Sequence, residues 1–264
     1  MNSILIPALV MGVIGLVLGA ILALASKIFA VETDEKAQAI TEVLPGANCG
    51  SCGFAGCSAY AASVSSGNAK VNCCSPGGQA VADKIAGIMG VSAEAVEEKT
   101  AVVMCSGTEE AAKDKYTYFG ETDCVALSRL QGSGSKACSY GCLGLGSCVK
   151  VCSKNAISIV NGIAVVDEDA CAGCGECAEV CPKKIIKIVP KKNKVTVKCK
   201  SCDKGAMMKE KCSIGCIGCK ICEKNCPSGA VTVTENCAEI DYSKCTNCGL
   251  CAEKCPRKII AVKE

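Results

Sequence analysis

Cysteines recur in this chain at intervals that suit thiolate ligation of iron. From residue 138 the pattern is Cys138-x3-Cys142-x5-Cys148-x3-Cys152, then Cys171-x2-Cys174-x2-Cys177-x3-Cys181-Pro182. Adding 74 to each number lands on Cys212, Cys216, Cys222, Cys226, Cys245, Cys248, Cys251, Cys255 and Pro256, an internal duplication. In the second copy Cys219 fills the gap, giving Cys216-x2-Cys219-x2-Cys222-x3-Cys226-Pro227. A loop with a ligand every third residue can wrap a cube of iron and sulfide and offer three thiolates to three irons. The fourth thiolate comes from the Cys-Pro end of the other motif. The expected sets are Cys138, Cys142 and Cys148 with Cys181; Cys152 with Cys171, Cys174 and Cys177; Cys216, Cys219 and Cys222 with Cys255; and Cys226 with Cys245, Cys248 and Cys251. Cys212 is an alternative to Cys219, because the duplication favours the former and the x2 spacing the latter.

Another group, Cys49-Gly50-Ser51-Cys52-x4-Cys57-x16-Cys74, offers three close thiols and one remote one. It fits a fifth [4Fe–4S] cluster, with zinc as the rival occupant. Cys73 beside it reads as a bystander, and Cys105, Cys124, Cys199, Cys202 and Cys237 have no partner in the pattern. Cys199-x2-Cys202 could supply half of a sixth site, joined by Cys212 if that residue is free. Five clusters are therefore expected, with room for a sixth, and every metal ligand is a cysteine on cluster iron. No catalytic residue is assigned.

Composition supports that chemistry. The chain has 264 residues, of which 27 are Cys and none is His, which removes mixed Cys/His zinc sites, His-ligated haem and Rieske centres. Cysteines two and three residues apart close no useful disulfide loop, so ligation in a reducing compartment is the reading. Aromatic residues make up only 3%, so the small modules lack a large aromatic core. Bound metal would supply much of their folding free energy. The formal charge of +3 counts ligands as neutral thiols. Five oxidised clusters at about −2 each would bring the loaded chain to roughly −7. Between Lys183 and Lys211 eleven Lys face Asp203 and Glu210, a basic stretch that would either steer an acidic donor or form a solvated hairpin around Lys191-Lys192-Asn193.

Several elements must position these groups. Ile4 to Ala25 is 22 residues without a charge, long enough to cross a bilayer core of about 30 Å, and is expected to be a transmembrane helix. The rival is a signal peptide, but no Lys or Arg precedes the apolar run. Lys27 after the span, and the reducing compartment that thiols need, place the bulk on the cytoplasmic side of the cell membrane. Gly78 to Ala101 reads as helical with a turn at Gly90. Thr108 to Ser135 is polar and ends in Gly132-Ser133-Gly134-Ser135, a linker composition. Asn161-Gly162 between two apolar quartets predicts a hairpin, repeated at 231–240, and Gly173, Gly175, Gly218 and Gly249 between ligands let backbone N–H groups approach sulfur. The expected class is α+β. An anchor occupies 1–33, a small helical four-cysteine domain 34–106, a linker 107–135, and ferredoxin units 136–198 and 199–264.

The 49-to-78 block, Cys49-x2-Cys52-x4-Cys57-x16-Cys74-x-Pro76-Gly77-Gly78, and the string Ala137-Cys138-Ser139-Tyr140-Gly141-Cys142-Leu143-Gly144-Leu145-Gly146 resemble the B subunit of the Rnf ion-translocating ferredoxin:NAD oxidoreductase, in its clostridial form with two ferredoxin units. The resemblance implies the fifth cluster. It also implies a place in a membrane complex that passes electrons from reduced ferredoxin toward NAD+ while Na+ or H+ is moved. No dinucleotide-binding G-x-G-x-x-G or Walker A loop stands in the chain. The alternative is a relay subunit or polyferredoxin serving a hydrogenase or dehydrogenase. No nucleic acid is expected as a partner.

Overall fold

A computed structural model of the chain describes residues 2–28, 34–130, 132 and 134–263. Helix α1 runs Asn2–Ile28. Its side chains are described over residues 11–24, all of them exposed, with Leu16 at 77%. Among the described residues no helix is long and apolar enough to cross a membrane. The 22-residue run expected as a span extends past those described side chains at both ends.

Three helices follow: α2 (Glu35–Val43), α3 (Cys57–Ser65) and α4 (Gly78–Met89). The Asp34 side chain caps α2 by accepting from the Lys36 N–H, and α4 stops at Gly90 in the left-handed conformation. Ile40, Leu44, Tyr60, Ala61, Val64 and Ile85 close a small core around Cys74. The sequence-based expectation of helix through Ala101 ends at Gly90. Residues 99–103 instead form strand β1 (Lys99–Val103).

The rest of the chain builds two copies of one small α+β unit. In the first come α5 (Cys124–Arg129), α6 (Ser147–Lys150), β2 (Ile157–Val160), β3 (Ile163–Val166), α7 (Glu176–Val180) and β4 (Ile186–Pro190). In the second come β5 (Val195–Val197), α8 (Gly205–Lys211), α9 (Ile221–Lys224), β6 (Val231–Thr234), β7 (Cys237–Ile240), α10 (Leu250–Glu253) and β8 (Ile260–Val262). Both expected hairpins form, with Ile157 opposite Val166 and Val231 opposite Ile240. Their turn residues Asn161-Gly162 and Glu235-Asn236 all have positive φ, the conformation that matches strand twist.

The outer ribbons were not legible in advance. β1 pairs antiparallel with β4, Lys99 opposite Pro190, and β5 with β8, Val195 opposite Val262. The basic stretch is therefore no hairpin, because its two strands part and each pairs with a distant partner. Five of its lysines meet carboxylates: Lys184 with Glu179, Lys187 with Glu239, Lys191 with Glu98 and Asp169, Lys192 with Glu97, and Lys211 with Asp203. The pairs of Lys184, Lys187, Lys191 and Lys192 involve exposed side chains and contribute about 0–1 kcal/mol each, while Lys211 and Asp203 are more shielded. Their larger effect is to reduce the free positive charge of the stretch.

The segment 107–135, expected as a linker, is built into the fold. The Ser213 N–H donates to the Ala111 carbonyl (2.8 Å), the Lys113 N–H to the Lys211 carbonyl (2.9 Å), and the Ala137 N–H to the Lys113 carbonyl (2.7 Å). The segment thus stitches the start of one unit to the start of the other, and buries Ala112 and Leu127.

Candidate metal centres

In the N-terminal domain, α3 begins at Cys57 while a loop held by Asn48 carries Cys49 and Cys52. The Asn48 Oδ1 accepts from the Cys57 N–H (2.8 Å). Buried Tyr60 donates its hydroxyl hydrogen to the Lys70 carbonyl (2.8 Å) and accepts from the Cys73 N–H (3.2 Å), which fixes the approach to Cys74. Burial raises the Cys74 thiol, the Cys57, Cys52 and Cys49 thiols add to that, and Cys52, Cys57 and Cys73 pack against the core that holds Cys74. Cys73 serves this core through its backbone N–H.

Within each ferredoxin unit, the third cysteine of each motif sits on a single-turn helix. Cys148 lies on α6, Cys177 on α7, Cys222 on α9 and Cys251 on α10. Each helix is entered through a left-handed residue, namely Gly146, Gly175, Lys220 and Gly249, which swings the chain from ligand loop into helix. Gly144 and its counterpart Gly218 show why the loop needs glycine. Both have positive φ, and a Cβ would fall 2.6 Å from the Gly162 carbonyl oxygen and 2.9 Å from the Asn236 Cα respectively. The ligand loop therefore rests directly on the hairpin turn.

In the second unit a small cavity is lined by Cys216, Cys219, Cys222 and Cys255, with Ile259, Ile260 and Val233 as its apolar wall and Cys219 at its exposed side. Burial pushes the Cys222 thiol up to about 11, with the Cys216, Cys219 and Cys255 thiols contributing. Cys212 is not in that cavity. The Cys251 thiol is raised by burial, and Cys226, Cys245 and Cys248 add to that.

The first unit differs. Its cavity is lined by Cys142, Cys148, Cys181 and Cys124, and Cys138 is absent from it. Burial pushes the Cys148 thiol up to about 12, and Cys142, Cys124 and Cys181 add to it. Cys124 opens α5, whose cap is the Asp123 carboxylate accepting from the Ala126 N–H (2.8 Å). The Ser147 hydroxyl accepts from the Cys124 N–H (2.7 Å) and donates to Asp123 Oδ2 (3.1 Å). Burial pushes the Cys177 thiol up to about 12, helped by Cys174, Cys171, Cys148 and Cys152. Cys138 and Cys212 both line a third cavity, between the units.

These donors suit an iron–sulfur cube. The sets are all-thiol, and backbone N–H groups point at sulfur: Ala164 at Cys142 (3.4 Å), Ala156 at Cys152 (3.3 Å) and Ala101 at Cys171 (3.4 Å). Such bonds stabilise thiolate and tune a bound cluster's potential. Among the described residues no three Cys, Asp or Glu side chains are grouped to hold a single metal ion.

Fold and donor sets together define a tandem two-cluster ferredoxin preceded by a separate four-cysteine domain. Family models agree: the family described as "Putative Fe-S cluster" matches residues 44–76, and the 4Fe-4S dicluster domain matches 137–185 and 215–259. Among curated proteins, the B subunit of the Na+-translocating ferredoxin:NAD+ oxidoreductase complex of Acetobacterium woodii is 44% identical over 93% of this chain and 74% of its own length. The B subunit of the ion-translocating oxidoreductase complex of Methanosarcina acetivorans is 42% identical over 100% of both. The B subunit of the proton-translocating ferredoxin:NAD+ oxidoreductase complex of Clostridium ljungdahlii is 44% identical over 93% of this chain and 87% of its own length. This chain belongs to the family of Rnf complex B subunits.

Proposed function

We propose that this chain is a membrane-anchored relay subunit. It accepts electrons from a reduced soluble ferredoxin and passes them to other subunits of an ion-translocating ferredoxin:NAD+ oxidoreductase. The observation that carries the reading is that four cysteines, with no Asp or Glu beside them, line each of two cavities walled by Ile and Val. Membership of the B-subunit family supplies the setting. The proposed [4Fe–4S] ligand sets are Cys49, Cys52, Cys57 and Cys74; Cys124, Cys142, Cys148 and Cys181; Cys152, Cys171, Cys174 and Cys177; Cys216, Cys219, Cys222 and Cys255; and Cys226, Cys245, Cys248 and Cys251. Cys124 here takes the place that the cysteine spacing assigned to Cys138.

A bound cluster supplies storage of one electron at a time. The residues hold it, exclude water and aim N–H dipoles at sulfur, so that little reorganises when charge arrives. The anchor is α1: its 27 residues reach about 40 Å at 1.5 Å per residue, and its exposed Met11, Leu16 and Leu22 have no protein partner among the described residues. NAD+ reduction is assigned to another subunit.

Two measurements test this. Anaerobic mixing with reduced ferredoxin should bleach the visible absorption of the chain within the mixing experiment, and an unchanged spectrum would overturn the donor assignment. Carbonate-washed membranes should retain the full chain and release a version lacking residues 2–33; equal release of both would overturn the anchor.

A further inference from the structure

Among the described residues Lys136 is the only charged one that is buried, with 6% of its surface exposed. Taking an ammonium out of water is costly unless other groups compensate for it. Its hydrogen bonds go to two neutral carbonyls, of Gly107 (2.7 Å) and Gly162 (2.8 Å). No carboxylate among the described residues pairs with it. Glu109 also reaches Gly162, but it is exposed, and water screens its charge. A positive charge is thus held in the first ferredoxin unit without a matching negative one.

The surroundings of Lys136 are those of Cys142. A methyl placed on Gly141 would touch Lys136 Cδ (3.7 Å), so the stem lies along the ligand loop just before Cys142. The ammonium then reaches the Gly162 carbonyl, on whose oxygen Gly144 of the same loop rests. Two residues further along the hairpin, the Ala164 N–H points at Cys142 Sγ (3.4 Å). One hairpin turn therefore carries both the ammonium and the Cys142 sulfur. Burial raises the Cys142 thiol, and the Lys136 charge is among the groups that oppose that rise.

The second unit lacks the charge. The 74-residue offset puts Glu210 in place of Lys136, and Glu210 is exposed on α8. The loop-on-turn contact itself is kept, with Gly218 against Asn236 where the first unit has Gly144 against Gly162. The two copies share a cradle and differ in the charge beside it. Reduction adds one negative charge to a [4Fe–4S] cluster, so a fixed cation in a poorly hydrated place favours the reduced form and raises the potential.

We propose that Lys136 orders the potentials of the duplicated ferredoxin. Its ammonium raises the potential of the cluster on Cys124, Cys142, Cys148 and Cys181 above that of the counterpart on Cys216, Cys219, Cys222 and Cys255, so that an electron shared by the two units settles in the first. One cluster loses one electron, the other gains it, and no bond is made or broken. The proposal rests on the relay reading for the presence of the clusters.

The test is an EPR-monitored redox titration, with iron analysis, of the full-length chain purified anaerobically. The component lost in Cys124→Ser identifies the first unit's cluster, and the one lost in Cys219→Ser its counterpart. Lys136→Gln and Lys136→Met should each keep their iron and make reduction of the first unit's cluster about tenfold less favourable, a fall of about 59 mV for one electron. Lys136→Arg should restore most of the shift, and Glu210→Gln should leave both midpoints where they were. An unchanged midpoint in a neutral variant with full iron overturns the proposal, as does an equal fall in Lys136→Arg. Should neither neutral variant accumulate, the wild-type order decides, and a first-unit midpoint at or below its counterpart overturns it. A chain with no reducible iron–sulfur signal would sink the relay reading itself, whereas unshifted midpoints sink only the role of Lys136.

Discussion

Leu145 stands where the second unit has Cys219, and Cys124 lines the cavity that this replacement leaves one thiol short. The 74-residue shift sets Leu145 against Cys219, but the cysteine spacing completed the set with Cys138 instead. The donor that repairs it was not readable, because Cys124 lies 21 residues upstream in a segment of linker composition. Cys124→Ser is expected to cost about four irons per chain, and Leu145→Cys on that background to restore them, because the x2 spacing of the second unit is then reproduced. Iron analysis of the pair checks this, and failure of the rescue would mean that the first unit is not built like the second. Cys73→Ser should leave the count unchanged, as Cys73 contributes only its backbone N–H to Tyr60.

Among the elements, α5 and the Tyr60 lock show how short pieces hold ligands. Asp123 caps α5 and also receives the Ser147 hydroxyl, which in turn holds the Cys124 backbone. Asp123→Ala should therefore release iron several-fold faster to an anaerobic chelator, with the total initially bound unchanged. Tyr60→Phe should lower the stability of the N-terminal domain by about 1 kcal/mol, read from denaturant unfolding, through the lost bond to the Lys70 carbonyl. The hairpins and the cysteine-bearing loops were legible because their signals are local: Asn161-Gly162, and a ligand every third residue. The ribbons were not. Lys99 finds its partner at Pro190, and an apolar run such as Thr100 to Val103 reads equally well as the end of a helix until that partner is known.

At the scale of the molecule, candidate sets adjoin one another: Cys49 stands close enough to Cys174 to add to the rise that burial gives its thiol, Cys148 does the same for Cys177, and Cys105 and Cys199 accept from the Cys142 and Cys216 N–H groups. Removing iron should collapse the fold, because the cores around these cavities are thin and the cysteines themselves are among their buried residues. Loss of far-UV circular dichroism on anaerobic chelation would show this, and a retained native spectrum would count against cluster-dependent folding. The stitched segment 107–115 also imposes a calendar on biosynthesis. Its partners Lys211 and Ser213 leave the ribosome about a hundred residues after it, so the first unit can be loaded early while that edge still waits for the second. The seam closes only as the second unit emerges.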